Sequence, residues 1–122
     1  MGDPVVILMT NGISLDESMM LCLKYFECAA QAATLRPEQI FKEFGEHLGV
    51  ASELRQELLT GKPLLTWPQL SPNLRRPIHR LIADVESMPE SAYAGFGLDD
   101  LTDPHWEVVR RAANEVVTNN RA

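Results

Sequence analysis

The amino-acid sequence predicts an all-α fold, with about five helices in one compact, bundle-like domain that spans residues 1–122. Apolar residues recur at helical spacing in four or five segments, and capping residues, prolines and glycines bound these segments. A composition of 45% hydrophobic and 23% charged residues is typical of a globular protein. The apolar run Val5–Met9 is far shorter than the span of about 20 residues that a membrane helix needs, so no membrane partner is expected.

The chain begins with an apolar segment, residues 1–13, that ends in a turn signature. Its apolar run fits either a short strand, which needs a partner, or an arm that packs on the helices. Ser14 and Glu17 have the spacing of a capping box, which predicts a first helix over about 15–33. This helix is apolar around much of its circumference, so we expect it to be central.

Two shorter helices are predicted next. Pro37 suits the first position of a helix, and Gly49 is expected to end that helix. A third helix is predicted over about 51–59. The apolar residues of the second helix are expected to face the core: Ile40, Phe41, Phe44 and Leu48.

Prolines then divide the chain. Residues 62–71 are predicted to form a connector packed on the core. The apolar spacing from Leu74 to Val85 predicts a fourth helix, which must stop by Pro89.

The C-terminal part is predicted to contain one long loop and one helix. The loop covers residues 89–102 and has glycines near its middle. Asp103 and Pro104 are typical of a cap and a first-turn proline, so a last helix is predicted over about 104–118. Residues 119–122 are expected to fray.

The clearest charge feature is an acidic stretch between Arg80 and Arg110, which contains no lysine or arginine. Its formal charge of −7 compares with −6 for the whole protein, so the rest of the chain is nearly balanced. A local acidic field with aromatic rings is typical of a docking surface for a basic partner. The predicted contact residues are Glu90, Tyr93, Phe96, Asp99, Asp100, Asp103 and Glu107. The competing interpretation is that Phe96 and Trp106 are core residues, while the acids cap helices or are solvated.

Nucleic-acid binding is not expected, because the isoelectric point is near 5.0 and the chain has only eleven lysines and arginines. The strongest rival hypothesis is a helix-turn-helix over residues 41–59. In that hypothesis Arg55 and Gln56 address bases. Glu53 and Glu57 count against it, because they place negative charge on the recognition helix.

Catalytic and metal-binding patterns are absent from the sequence. The three histidines, His47, His79 and His105, lie far apart and form no ligand-spaced set, so neither metal nor cofactor is predicted. Glu43 and His47 are four residues apart, but this spacing is common on any surface helix. The chain is therefore predicted not to be an enzyme.

The two cysteines, Cys22 and Cys28, are six residues apart on the first predicted helix, which turns them to different sides. They are therefore predicted to be reduced thiols in a cytoplasmic protein.

These observations favour a non-catalytic protein-binding module. The concrete hypothesis is a small cytoplasmic inhibitor, of the immunity-protein or antitoxin kind, that masks a basic protein such as a toxin nuclease. Size, acidity and helicity are similar to those of some immunity proteins, and no sequence motif carries that similarity. The basic cluster of Arg75, Arg76 and Arg80 could instead meet the acidic stretch, either within the domain or in a homodimer.

Overall fold

The computed structural model describes residues 14–95 and 97–121, and it confirms the all-α prediction. The strand or arm predicted for residues 1–13 lies outside the described residues. No strand occurs in the described part of the chain. Its helices are α1 (Leu15–Ala33), α2 (Pro37–Glu43), α3 (Val50–Leu59), α4 (Pro72–Glu86), α5 (Leu98–Leu101) and α6 (Pro104–Arg121), with 3₁₀ turns at Lys62–Thr66 and Glu90–Ala92.

Three long helices form the centre of the fold. Helix α6 packs along both α4 and α1, while α3 packs against α1 and α4. The short helix α5 packs against α2 and α3. The largest fully buried side chains come from α1, α3, α4, α5, α6 and the first 3₁₀ turn: Phe26, Leu54, Leu58, Leu64, Ile78, Leu81, Ile82 and Leu101, with Val50, Val85, Val109 and Val116.

Both tryptophans are core residues, and each buried indole nitrogen has a hydrogen-bond acceptor. Trp67 Nε1 donates to Asp16 Oδ1 at 2.9 Å, and Trp106 Nε1 donates to the Ala92 carbonyl at 2.7 Å. The Trp106 bond ties the 3₁₀ turn Glu90–Ala92 to the start of α6. Neither ring is therefore available as a partner anchor.

The first helix begins as predicted, whereas the second ends earlier than predicted. The Glu17 amide donates to Ser14 Oγ at 3.1 Å, which caps α1. Helix α2 stops at Glu43 because Gly45 takes a left-handed conformation with φ of 84°. Gly45 and Glu46 then donate to carbonyls of the last helical turn, as in a Schellman motif. The prediction that Gly49 ends this helix is wrong, and Leu48 lies outside it.

The C-terminal region is more ordered than the sequence suggested. The predicted loop over residues 89–102 contains a 3₁₀ turn and α5, and α6 continues through Arg121 instead of fraying after Thr118. Two side-chain bonds to neighbouring helices hold the end of α6. Asn73 Nδ2 donates to the Asn119 carbonyl at 3.2 Å, and Asn120 Nδ2 donates to Glu27 Oε2 at 2.6 Å.

One arginine of the predicted basic cluster is structural. The Arg75 guanidinium donates to the carbonyls of Leu65 and Trp67, at 2.7 and 3.0 Å. These bonds fix the connector after the first 3₁₀ turn against α4. Arg75 therefore has acceptors on its own chain, whereas Arg76 and Arg80 are exposed.

Candidate protein-binding surface

The acidic stretch does not form a single outward-facing field. Asp100 is 2% exposed, and its Oδ2 accepts a hydrogen bond from the Gly95 amide at 2.8 Å. The predicted contact role of Asp100 is corrected accordingly, since its carboxylate lies inside the domain. Asp84, also from this stretch, is partly buried in α4. Burial of these acids could not be inferred from a count of charges along the chain.

Asp103 caps the last helix. Its Oδ1 accepts from the His105 amide at 2.9 Å and lies 2.7 Å from His105 Nδ1. The amide bond, assisted by the imidazole, lowers the pKa of the Asp103 carboxyl from its ordinary value. This residue serves the helix start, as the competing interpretation of the acidic stretch proposed.

The Asp103 cap predicts a defined pH dependence of stability. A carboxyl whose pKa is depressed by folding stabilises the native state above its unfolded pKa of about 3.9, and this stabilisation is lost as the pH falls through the folded pKa. Asp103→Asn keeps a capping oxygen but removes the charge. We expect this variant to be less stable than the wild type at pH 7, and we expect the difference in stability to shrink progressively as the pH is lowered below about 4, as measured by urea unfolding. A stability difference that stays constant with pH would contradict the role of the charge.

Two other acids of the stretch are paired with cations of the same chain. Glu107 accepts from Arg110 through both carboxylate oxygens, and Arg111 Nε lies 3.7 Å from Oε1. The Arg110 hydrogen bonds lower the pKa of the Glu107 carboxyl. Glu86 lies 2.5 Å from Lys62 Nζ. These exposed pairs leave less negative charge for a partner than the sequence implied.

The remaining predicted contact residues differ in how far their side chains are exposed to a partner. Glu90 and Asp99 are exposed and have no ion pair within the described residues. Tyr93 is partly buried, and the Arg55 guanidinium lies 4.3 Å from the centre of its ring. Phe96 lies outside the described residues. The usable part of the predicted site is therefore smaller and centred on α5 and the turn before it.

A loop from elsewhere in the chain completes this surface. The Gly97 amide donates to the Leu48 carbonyl at 2.9 Å, which joins the segment before α5 to the segment after α2. Leu48 is nevertheless 68% exposed. We call residues 45–48 and 97–99, with Glu90 on the adjacent turn, the two-loop surface.

The two-loop surface contains a backbone irregularity. Glu46 has a φ of 56°, and it is the non-glycine residue with a positive φ among the described residues. This left-handed conformation is unfavourable for an ordinary side chain. It places the exposed Glu46 two residues before Leu48, on the same short loop. Sequence reasoning missed this loop because Leu48 was assigned to the core side of a longer helix.

The predicted helix-turn-helix is also changed by the structure. Six residues, 44–49, separate α2 from α3, and the guanidinium of Arg55 stacks on Tyr93 instead of extending from the helix. The exposed residues of α3 include Glu53 and Glu57. Burial and the neighbouring Glu53 raise the pKa of the Glu57 carboxyl. Negative charge on this face of α3 disfavours contact with the phosphates of a nucleic acid.

Both cysteines contribute to one groove between α1 and the end of α3, and they do so from different sides of α1, since Cys22 is half-buried and Cys28 is exposed. The Cys22 thiol donates to the Thr60 carbonyl at 3.3 Å, and burial raises the pKa of this thiol. A raised thiol pKa disfavours the nucleophilic thiolate. Both cysteines are free, and Cys28 is exposed.

A second concave region lies between the C-terminal end of α1, α2 and the start of α6. Its floor is apolar, and its charged rim consists of Asp103, Glu107 and Arg110. These groups are already engaged in the α6 cap and in ion pairs. His47, in turn, contacts Glu53 at 2.7 Å instead of Glu43, with which it shares a helical spacing. Neither arrangement presents an acid–base pair above a substrate-sized cleft.

Three further observations bear on function. Within the described residues, no group of three histidine, cysteine or acidic side chains is placed to hold a metal ion. Also within those residues, no helix combines the length and apolar character that crossing a bilayer requires. No protein-family model matches the chain, and no curated protein or solved structure is significantly similar to it.

Proposed function

We propose that this chain is a non-catalytic protein-binding module that docks a basic partner on its two-loop surface. The observation that carries the proposal is the 68% exposure of Leu48, on a loop that also exposes Glu46 and that the Gly97–Leu48 backbone bond joins to the start of α5, where Asp99 is exposed. An exposed apolar side chain on a surface that also exposes carboxylates is complementary to an apolar pocket with a basic rim.

Leu48 and the acids would make different contributions to such a contact. Complete burial of a leucine side chain contributes about 1.5–3 kcal/mol. Glu46, Glu90 and Asp99 would mainly raise the association rate and exclude acidic partners. Because the Gly45 turn and the Gly97 bond already fix the loop, little conformational entropy is lost on binding.

The concrete form of the proposal is a small cytoplasmic inhibitor, of the immunity-protein or antitoxin kind, that masks a basic protein such as a toxin nuclease. The net charge of −6 supports a basic partner, and two free thiols fit a reducing compartment. A helix-turn-helix regulator that uses residues 41–59 has less support, because Arg55 stacks on Tyr93 and acids occupy the exposed face of α3.

The test begins with capture of the partner by the tagged protein from extracts of its native host, at low and at high salt. The captured protein is identified by mass spectrometry and purified. Its affinity is then measured for the wild type and for three variants, which are Leu48→Ala, Asp99→Lys and the control Val108→Ala. We expect Leu48→Ala and Asp99→Lys each to weaken binding by about tenfold, which is 1.4 kcal/mol. Melting temperatures should change little, because both side chains are exposed.

Val108→Ala is the matched control for Leu48→Ala. Val108 is also an exposed apolar residue, at 47%, but it lies on α6 and outside the two-loop surface. Unchanged affinity of this variant, with weakened affinity of the Leu48 variant, supports the proposed site. Equal affinities for all variants would remove the two-loop surface, and retention of nucleic acid in place of a protein would favour the DNA-binding alternative.

A further inference from the structure

Helix α1 has apolar side chains on the face that points away from the core. Its buried residues are Phe26, Ala29, Ala30 and Ala33, which define the inward direction. Helical geometry places a different set on the opposite face, all of it exposed: Glu17, Met20, Leu21, Lys24 and Cys28. Met20 is 62% exposed and Leu21 is 43% exposed.

The density of apolar surface on this helix is unusual within the structure. Among the described residues, four of the six exposed large hydrophobic side chains belong to α1, namely Leu15, Met20, Leu21 and Tyr25, and two of these four, Met20 and Leu21, lie on the outward face. Surface helices generally carry polar residues on the face opposite the core. Adjacent exposed apolar residues on that face are therefore typical of a contact with another molecule.

The charges on this face are arranged symmetrically about its apolar centre. Glu17 lies three residues before Met20, and Lys24 lies three residues after Leu21. If two α1 helices pack antiparallel about a two-fold axis between Met20 and Leu21, Glu17 of one copy faces Lys24 of the other, twice. Positions 17, 20 and 24 are spaced by three and four residues, and the two-fold axis maps them onto positions 24, 21 and 17 of the other copy, so both sets have the seam spacing of paired helices.

We propose that the outward face of α1 is the interface of a homodimer, formed by an antiparallel α1 pair with Met20 and Leu21 at its centre. Self-complementarity is what a two-fold interface requires. An unrelated partner would place no constraint on the equal spacing of Glu17 and Lys24 from the apolar pair. Lys24 has no ion pair within the described residues, and Glu17 receives only the Ser14 hydroxyl on its carboxylate. The dimer does not depend on the two-loop surface.

The oligomeric state of the full chain tests this interface. Sedimentation equilibrium from about 1 µM to about 1 mM should show a monomer–dimer equilibrium for the wild type, weakened by added salt. Glu17→Lys places two lysines opposite each other at both ends of the seam, and Lys24→Glu does the same with two glutamates. Each variant alone should dimerise at least about tenfold more weakly.

Mixing the two variants provides the decisive comparison. A Glu17→Lys chain and a Lys24→Glu chain together restore attraction at both ends, so an equimolar mixture should form a heterodimer more strongly than either variant forms a homodimer. Glu17→Lys loses the hydrogen bond from the Ser14 hydroxyl to the Glu17 carboxylate but keeps the backbone cap on Ser14 Oγ, and circular dichroism melting identifies any loss of folding. A monomeric wild type across this concentration range, or a dimer whose strength ignores both charge reversals and their mixture, would overturn the proposal.

Discussion

Charge reversal at Asp100 is expected to lower the free energy of unfolding by about 4 kcal/mol, whereas the same change at its neighbour Asp99 should alter it by less than about 0.5 kcal/mol. The difference arises from burial. Asp100 is 2% exposed and accepts the Gly95 amide, while Asp99 is exposed on α5. Asp100→Lys would bury an ammonium beside a backbone donor that has lost its acceptor.

Urea unfolding at pH 7 measures this difference directly. The two variants have the same sequence context, the same change in net charge and adjacent positions on one short helix, so they control for each other. Asp100→Asn should be intermediate, because an amide oxygen can still accept from Gly95. Equal stability of the two lysine variants would show that the Asp100 carboxylate is not held as described.

The same pair of variants determines how a binding experiment is designed. A double reversal of Asp99 and Asp100 would combine any loss of partner contacts with a large destabilisation of the fold, so it would not isolate an effect on an interface. Asp99→Lys changes the surface charge without touching the bond between Asp100 and Gly95. Only that single reversal tests whether the acids of the two-loop surface attract a basic partner.

Local signals in the sequence were sufficient for most helix starts. Ser14, Pro37 and Pro104 each precede or begin a helix where the structure has one, because caps and first-turn prolines act on backbone groups within a few residues. The apolar spacing of α4 was equally informative, since one face of that helix meets α6 along its length.

The end of α2 was harder to predict because two glycines compete as stops. Gly45 and Gly49 both follow apolar residues, and a longer helix would have buried Leu48. The structure selects Gly45, whose positive φ permits the Schellman bonds, and the next residues then form a loop. The exposed Leu48 that carries the proposed function follows from this choice.

The sequence could not predict which acids are buried or paired with a cation. Pairing depends on residues that are distant in sequence and on the rotamers that the side chains adopt. Glu86 meets Lys62 through a contact over 24 residues, and Glu107 meets Arg110 just beyond the acidic stretch. A sum of charges along the chain contains no information on either pairing. It also does not distinguish Asp99 from Asp100, which differ only in the direction that each faces from α5.

Gly61→Ala is expected to destabilise the protein by about 3 kcal/mol, the second large effect that the structure predicts. Gly61 follows α3 with a φ of −78°, so its backbone conformation suits any residue. A Cβ atom at this position would lie 2.5 Å from Phe26 Cε1 and 2.8 Å from Phe26 Cγ. Phe26 is fully buried, so its ring has no free space into which it could turn.

Gly49→Ala is the matched control for this substitution. Gly49 has a φ of −87°, close to that of Gly61, but an added Cβ would meet only His47, at ordinary contact distances of 3.5 and 3.7 Å. Replacing this glycine should leave stability unchanged or raise it by about 0.5 kcal/mol, because alanine reduces the entropy of the unfolded chain. Denaturant unfolding of both variants separates steric overlap from backbone entropy.

The cause of the Gly61 effect is tested by making room for the new methyl group. Phe26→Leu removes part of the ring that the added Cβ would overlap, at its own cost as a core truncation. If overlap is responsible, the Gly61→Ala and Phe26→Leu double variant should be less destabilised than the sum of the two single variants, by about 1 kcal/mol or more. Strict additivity would mean that the methyl group at position 61 and the Phe26 ring do not compete for space, and the close approach of α1 to the end of α3 would then be wrong.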